Sequence, residues 1–327
     1  MANIVQIDKL YDRYHEMTFG YVGVNLETSE IKYYSFYNHR DHYNPGMLYE
    51  FDINNFNSQQ LVRHMRYCSY DRPSFSSALP QELKSVVYKV MDIHKNFNIK
   101  NGYPTTDLDF NMNNLSIKCI NIFNLFGGNN SFSGRYSPVA NVIELINNNH
   151  DYECMTAEER LKQNNVLAHE IGHMKVTRCK LDEKNKKLLV RIGFYNAEIK
   201  LQPLMLENGD IFYKTDNISE KNVNQEGRTL EELINDVDCS NAFSAYIGNY
   251  PKLGKPLNDL CNGRLLMARY TNGIDKYYSS LKNIINSDDL ATELLENLSE
   301  SIYGSEPERA EEKAIQLIKI YQNKKVK

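Results

Sequence analysis

Apolar residues alternate along the front of this chain and fall at helical spacing along its tail. Tyr21-Val-Gly-Val-Asn25 and Ile31-Lys-Tyr-Tyr-Ser-Phe-Tyr37 are rich in β-branched and aromatic residues and flank a polar turn, so two strands are expected. Leu83, Val86, Val87 and Val90 share one helical face behind Pro80, which predicts a helix over about 81–95. Leu115–Phe123 alternates as a half-buried strand and Val139–Ile146 reads as another, with a break at Phe126-Gly-Gly-Asn-Asn130 between them. Thr156-Ala-Glu-Glu159 is a capping-box pattern that opens a helix to about 176. Leu188–Phe194 and Ala197–Leu201 favour strands, and Asn208-Gly209 between two apolar runs is a two-residue hairpin signal. A further helix is expected near Thr229. Leu290, Leu294, Leu298 and Ile302 then form one helical face between a Ser287 cap and a Gly304 stop, and Ser305-Glu-Pro-Glu308 caps a last helix to about 322.

This order predicts an α+β fold: a mixed-sheet lobe carrying the capped helix, followed by a mainly helical C-terminal lobe. The expected partition is an aromatic-rich region over 1–100, either separate or part of the same domain, a sheet lobe over 101–220 and a helical lobe over 221–327, with the main boundary between 214 and 229. The tyrosines and phenylalanines of the first region read first as core or sheet-face packing. His39 and His42 are spaced i, i+3, but Asn38, Asn44 and Pro45 around them mark a loop.

Composition narrows the function classes. The chain has 327 residues, 41% of them hydrophobic, enough for one large domain or two modest ones. It lacks an apolar run long enough for a membrane span and a basic-then-apolar start, so neither a span nor a leader is expected. Lys plus Arg (38) nearly balances Asp plus Glu (42), which is not the basic footprint of a nucleic-acid binder. Cys68, Cys119, Cys154, Cys179, Cys239 and Cys261 are scattered without a Cys-x-x-Cys pair, which suits reduced thiols and a cytoplasmic location. A secreted protein stripped of its leader is the alternative.

The string that carries chemistry is Val166-Leu-Ala-His169-Glu170-Ile-Gly-His173-Met174. On a helix, i and i+4 lie on one face a turn apart, so both imidazoles can reach a single metal ion. Glu170 stands beside the first histidine, placed to take a proton from a metal-bound water without being a ligand. One Zn2+ suits two imidazoles and a carboxylate with a fourth position left to water. The null interpretation of the pair is two histidines satisfied by hydrogen bonds on a helix face. Gly172 sits where this helix can approach a neighbour closely. For the third ligand, Glu231 and Glu232 open the next helix. Glu232 is preferred because Asp236 follows it at i+4 and can accept a hydrogen bond from a ligand histidine.

His169-Glu170-x-x-His173 followed by Glu232-x-x-x-Asp236 resembles the gluzincin branch of the zincin metallopeptidases over about residues 139–250. The resemblance implies a zincin-like fold, a peptide or protein substrate, Glu232 as third zinc ligand and Asp236 as support for a ligand histidine. It also implies that the strand over 139–146 is the edge along which an extended substrate pairs. Gluzincins carry a Tyr, His or Arg that stabilises the oxyanion, and His is excluded because none follows His173. Tyr246, Tyr250, Arg264 and Tyr270 remain open for that role. Asp238-Cys-Ser-Asn-Ala-Phe243 also resembles, faintly, a cytoplasmic zincin-like family acting on phage-type repressors. The alternative to a peptidase is a zincin-derived regulatory or interaction protein that keeps the metal without turnover, with the aromatic N-terminal region as its contact surface.

Overall fold

A computed structural model of the chain describes residues 3–12, 17–38, 42–52, 81–121, 134–147, 155–215, 225–271 and 288–325. The strands run β1 (Asn3–Asp12), β2 (Met17–Asn25), β3 (Ile31–Ser35), β4 (Met47–Phe51), β5 (Ser116–Asn121), β6 (Gly134–Ser137), β7 (Val142–Asn147), β8 (Thr177–Asp182), β9 (Lys187–Ile192), β10 (Tyr195–Leu206) and β11 (Ile211–Thr215). The helices are α1 (Gln81–Asn101), α2 (Thr106–Asn113), α3 (Ala157–Met174), α4 (Gln225–Ala242), α5 (Gly254–Leu260), α6 (Arg264–Thr271), α7 (Asp288–Tyr303) and α8 (Pro307–Lys325). The mixture of one large sheet, a small sheet and a helical C-terminal part is α+β, as the element order predicts. His39, Ser287 and the Phe126-to-Asn130 break lie outside the described residues.

β1 to β4 form an antiparallel meander whose two outer strands are both taken up by a distant hairpin. β1 pairs in parallel with β11 (Ile4 opposite Phe212), β4 pairs in parallel with β10 (Leu48 opposite Leu206), and β10 pairs with β11 around Asn208-Gly209. Six strands therefore close on themselves as a small barrel. Its interior is Ile4, Tyr21, Tyr34, Phe36, Leu48, Leu206 and Phe212, all buried. Gly23 is needed there, since a Cβ would lie 2.6 Å from the Phe212 ring. Gly209 turns the hairpin at φ +84°, a backbone conformation that suits glycine. β1 to β4 of the aromatic-rich region thus share a core with a hairpin far along the chain, and only long-range strand pairing, which local pattern does not carry, joins them.

α1, at the end of that region, serves a different core. α1 runs to Asn101 rather than 95, because its buried face continues from Leu83, Val87, Val90 and Met91 into the polar His94 and Asn98, both fully buried. It packs with α2, β5, β7 and α3. In the small sheet β7 lies between β5 and β6, parallel to the first and antiparallel to the second. Among the described residues, the expected edge strand over 139–146 is therefore the middle strand, and the edges are β5 and β6. β6 has only four residues and begins at a glycine, too short for a period to register.

α3 opens as predicted: Glu159 N donates to Thr156 Oγ1 (3.3 Å) and Thr156 N donates to Glu159 Oε2 (2.8 Å). Such a cap contributes about 1 kcal/mol. α4 to α8 build the C-terminal core around Leu233, Ile234, Leu257, Leu265, Leu294, Leu298 and Ile318. Among the described residues no helix is long and apolar enough to cross a membrane.

Candidate metal centre

The C-terminal half of α3 is buried by α4, and two glycines set the approach. A Cβ on Gly172 would overlap Asn235 Oδ1 and come within 2.9 Å of Cys239 Sγ on α4, so the two helices meet backbone to side chain there. Asn235 Nδ2 donates to the carbonyl of His169 (2.9 Å), fixing the register of one helix on the other. Gly193, at φ +52°, leaves the space that the Glu231 carboxylate fills.

This packing brings His169, His173 and Glu232 together as predicted, and the three can hold one metal ion. His169 Nε2 and His173 Nε2 are 3.1 Å apart, and Glu232 Oε2 lies 3.2 Å from the first and 3.6 Å from the second. The other ring nitrogens face acceptors. His173 Nδ1 lies 2.9 Å from Glu231 Oε1, and His169 Nδ1 lies 3.0 Å from the Tyr246 hydroxyl and 3.5 Å from Asp236 Oδ1. An acceptor-only carboxylate at Nδ1 fixes the tautomer with the proton there, which leaves the Nε2 lone pairs of neutral imidazoles aimed at one point. Two converging lone pairs and a carboxylate offer one cation three donor atoms. The donors fit one: bonds of about 2.05 Å in tetrahedral geometry put ligand atoms about 3.3 Å apart.

Without a metal, the same surroundings favour a proton on each imidazole. Burial works against charge on His169, but hydrogen bonds with Asp236 and Glu232 outweigh it and push its pKa up to about 10. His173 is likewise pushed up to about 9, burial being overcome by the charge of Glu232 and the hydrogen bond with Glu231. Burial opposes ionisation of Glu232 as well, yet the two histidines hold it well below the usual carboxylate range. The pocket is built to hold positive charge.

Glu231 and Glu232 take different roles. Glu231 is buried and clamped by Arg269, whose Nε and Nη2 reach its oxygens at 2.6–3.1 Å, and it accepts from the backbone N–H of Phe194 (3.3 Å). It therefore positions His173 while Glu232, half-buried, faces the ligand point. Arg269 is fully buried and also pairs with Asp238, donates to the Gly172 carbonyl (2.7 Å) and reaches Asn235 Oδ1 (2.8 Å). Lys175 Nζ meets the same Asp238 at 2.8 Å and His94 Nδ1 at 3.0 Å. Asp238 is thus held in an ion network under the centre, away from the ligand point, so the faint second resemblance gains no ligand from it. Sequence reading missed Arg269 and Lys175, because a lone cation in a helical stretch reads as surface.

Asp236 takes the predicted supporting place. Its Oδ1 accepts from the Tyr246 hydroxyl at 2.6 Å and its Oδ2 from the Tyr250 backbone N–H at 2.6 Å. α4 stops at Ala242 and the chain folds back over it, with Gly248 against the Asp236 carboxylate. Of the four oxyanion candidates, Tyr270 donates to Asp238 (2.7 Å) inside the buried network and Arg264 is exposed on α6. Tyr246 and Tyr250 line the cavity, the first already engaged with His169 and Asp236.

That cavity, of about 1080 Å³, opens in front of the histidines. β6 contributes Gly134, Arg135 and Tyr136 to its wall. Glu170 points into it from α3. Its carboxyl is raised from its ordinary value by burial, against the charges of both histidines, and it accepts a hydrogen bond from the Tyr136 backbone. No family model matches this chain, and no curated protein or solved structure is significantly similar to it.

Proposed function

We propose that this chain is a zinc-dependent metallopeptidase of gluzincin-like design, acting on peptides or proteins in the cytoplasm. The observation that carries the reading is the trio of donor atoms at 3.1–3.6 Å beside a buried glutamate at the floor of an open cavity. Two imidazole nitrogens and one carboxylate, with a fourth side left open, are a catalytic zinc donor set. When bound, zinc would polarise a peptide carbonyl and lower the pKa of a water. Glu170 then takes the proton and returns it to the leaving amine, a task that its raised pKa suits. β6 pairs with β7 on one side, and its other edge lies along the cavity, where an extended peptide can add as a strand. The cytoplasmic placement draws support from Cys179 and Cys239, which are free thiols.

The test combines metal analysis with cleavage of a diverse peptide pool, with and without chelator. The expected result is one zinc per chain, cleavage lost on chelation, and a Glu170→Gln protein that keeps its zinc and cleaves nothing. Cleavage that survives either the chelator or Glu170→Gln refutes the mechanism. A second reading, a metal-holding regulatory protein without turnover, is favoured by one observation: Tyr246 and Tyr270 are both engaged elsewhere, so an oxyanion donor must come from Tyr250. Zinc binding with every peptide left intact would select that reading.

A further inference from the structure

The cavity in front of the histidines contains a cation that the chemistry above does not use. Arg228 lies four residues before Glu232 on α4, one turn away on the same face, and lines the cavity with Ile192, Tyr195 and Tyr250. The i, i+4 spacing would let Arg228 and Glu232 pair, but Glu232 Oε2 is turned to the histidines instead. Among the described residues no carboxylate forms an ion pair with Arg228. Its guanidinium rests over the Tyr303 ring, 4.7 Å from the centroid, and its charge acts on the phenols of Tyr195 and Tyr250.

Tyr303 also takes a side-chain hydrogen bond from Arg228, and the remaining N–H donors of the guanidinium are left for another partner. Their fork matches the two oxygens of a carboxylate. The other cations of the lining are placed differently: Arg135 is bound by Glu144 of β7, and Lys162 stands one turn from Glu158 on the outer part of α3. Arg228 is an exposed residue against Tyr303, a turn away from the ligand glutamate, and among the described residues it has no ion-pair partner.

We propose that Arg228 forms a carboxylate subsite, so that this chain takes peptides bearing an acidic side chain or a free C-terminal carboxylate close to the bond held over the histidine pair. The proposal rests on the peptidase reading above. Tyr195, Tyr250 and Tyr303 would frame the carboxylate with ring edges and hydroxyls, and the subsite would set which residue falls next to Glu170.

Binding is measured by calorimetry on zinc-loaded Glu170→Gln protein, which separates recognition from turnover. The probes are alanine-based hexapeptides with one Glu, or one Gln, walked through each position, each made with a free and an amidated C-terminus. A charge-assisted bidentate contact should give one register about tenfold or more in affinity over its neutral counterpart. Preference for Glu in amidated peptides identifies a side-chain carboxylate, and preference for the free acid in Gln peptides identifies a C-terminal one. Arg228→Gln should erase the preference while zinc content and melting temperature stay at wild-type values. Equal affinity for charged and neutral peptides, or a preference that survives Arg228→Gln, overturns the subsite alone. Absence of binding by every peptide overturns the subsite together with the peptidase reading.

Discussion

Replacing Arg269 by Met tests whether the buried ion network holds the helical lobe onto the histidine helix. The guanidinium is fully buried and contacts four groups: the Glu231 carboxylate, Asp238, the Gly172 carbonyl and Asn235 Oδ1. Met fills much of the same volume, so lost packing is small and lost polar partners dominate. Asp238 keeps Lys175 and the Tyr270 hydroxyl, whereas Glu231 keeps only His173 and the Phe194 N–H among the contacts described above. The change therefore leaves about one buried carboxylate without its cation, for which about 3–5 kcal/mol is the expected loss. A second effect follows at the metal. Glu231, no longer clamped, holds His173 less firmly, and loss of a group that orients a ligand costs about 10–100-fold in metal affinity. Urea unfolding of the chelated protein reads the first effect, and zinc competition against a fluorescent chelator reads the second. An Arg269→Met protein that unfolds within about 1 kcal/mol of wild type would refute the reasoning, since breaking a buried pair is far more costly than that.

Other substitutions probe single contacts. Glu231→Gln should weaken zinc binding by the about 10–100-fold of a supporting group, and Glu232→Ala should weaken it more; equal effects would mean the two roles are misassigned. Gly172→Ala forces a methyl against Asn235 and Cys239 and should cost about 1–3 kcal/mol in thermal unfolding, with an unchanged melting temperature counting against the tight helix contact. Phe212→Ala empties the centre of the barrel and should cost about 3–5 kcal/mol. Because β10 belongs to both the barrel and the cavity wall, calorimetry should then show one lowered transition, and two separated transitions would show an independent barrel.

Whatever rests on local pattern was legible in the sequence. The Thr156–Glu159 box, the i, i+4 histidines, the Asn208-Gly209 turn and the Glu232–Asp236 spacing each need only a few neighbouring residues. Each appears where that spacing puts it. What escaped depends on distant partners. Barrel closure joins β1 to β11, and no short window contains both. Tyr246 reaches His169 only because α4 ends at Ala242 and the chain turns back past Gly248, a stop that apolar periodicity does not mark. Arg269 and Lys175 escaped for a different reason: charged residues are rarely buried without partners, and their partners come from other helices.

The barrel also changes the weight of the non-enzymatic alternative. That reading drew on the aromatic N-terminal region as a contact surface, yet Tyr21, Tyr34, Phe36 and Phe212 pack against one another inside the barrel. Phe19 and Tyr49 are buried as well, while Tyr43 (46%) and Tyr88 (66%) are exposed beyond a third. Among the described residues, Tyr21, Tyr34, Phe36 and Phe212 fill the interior of the six-stranded barrel together with Ile4, Leu48 and Leu206. Its connection to the metal centre is physical: β10 leaves the cavity at Tyr195, pairs with β9 through Lys200 and enters the barrel at Leu201 without a break. One continuous strand therefore anchors the wall that carries Ile192 and Tyr195 to the most tightly packed part of the N-terminal half. The barrel built by the aromatic strands is thus tied, through β10, to the wall of the cavity that opens in front of the histidine pair.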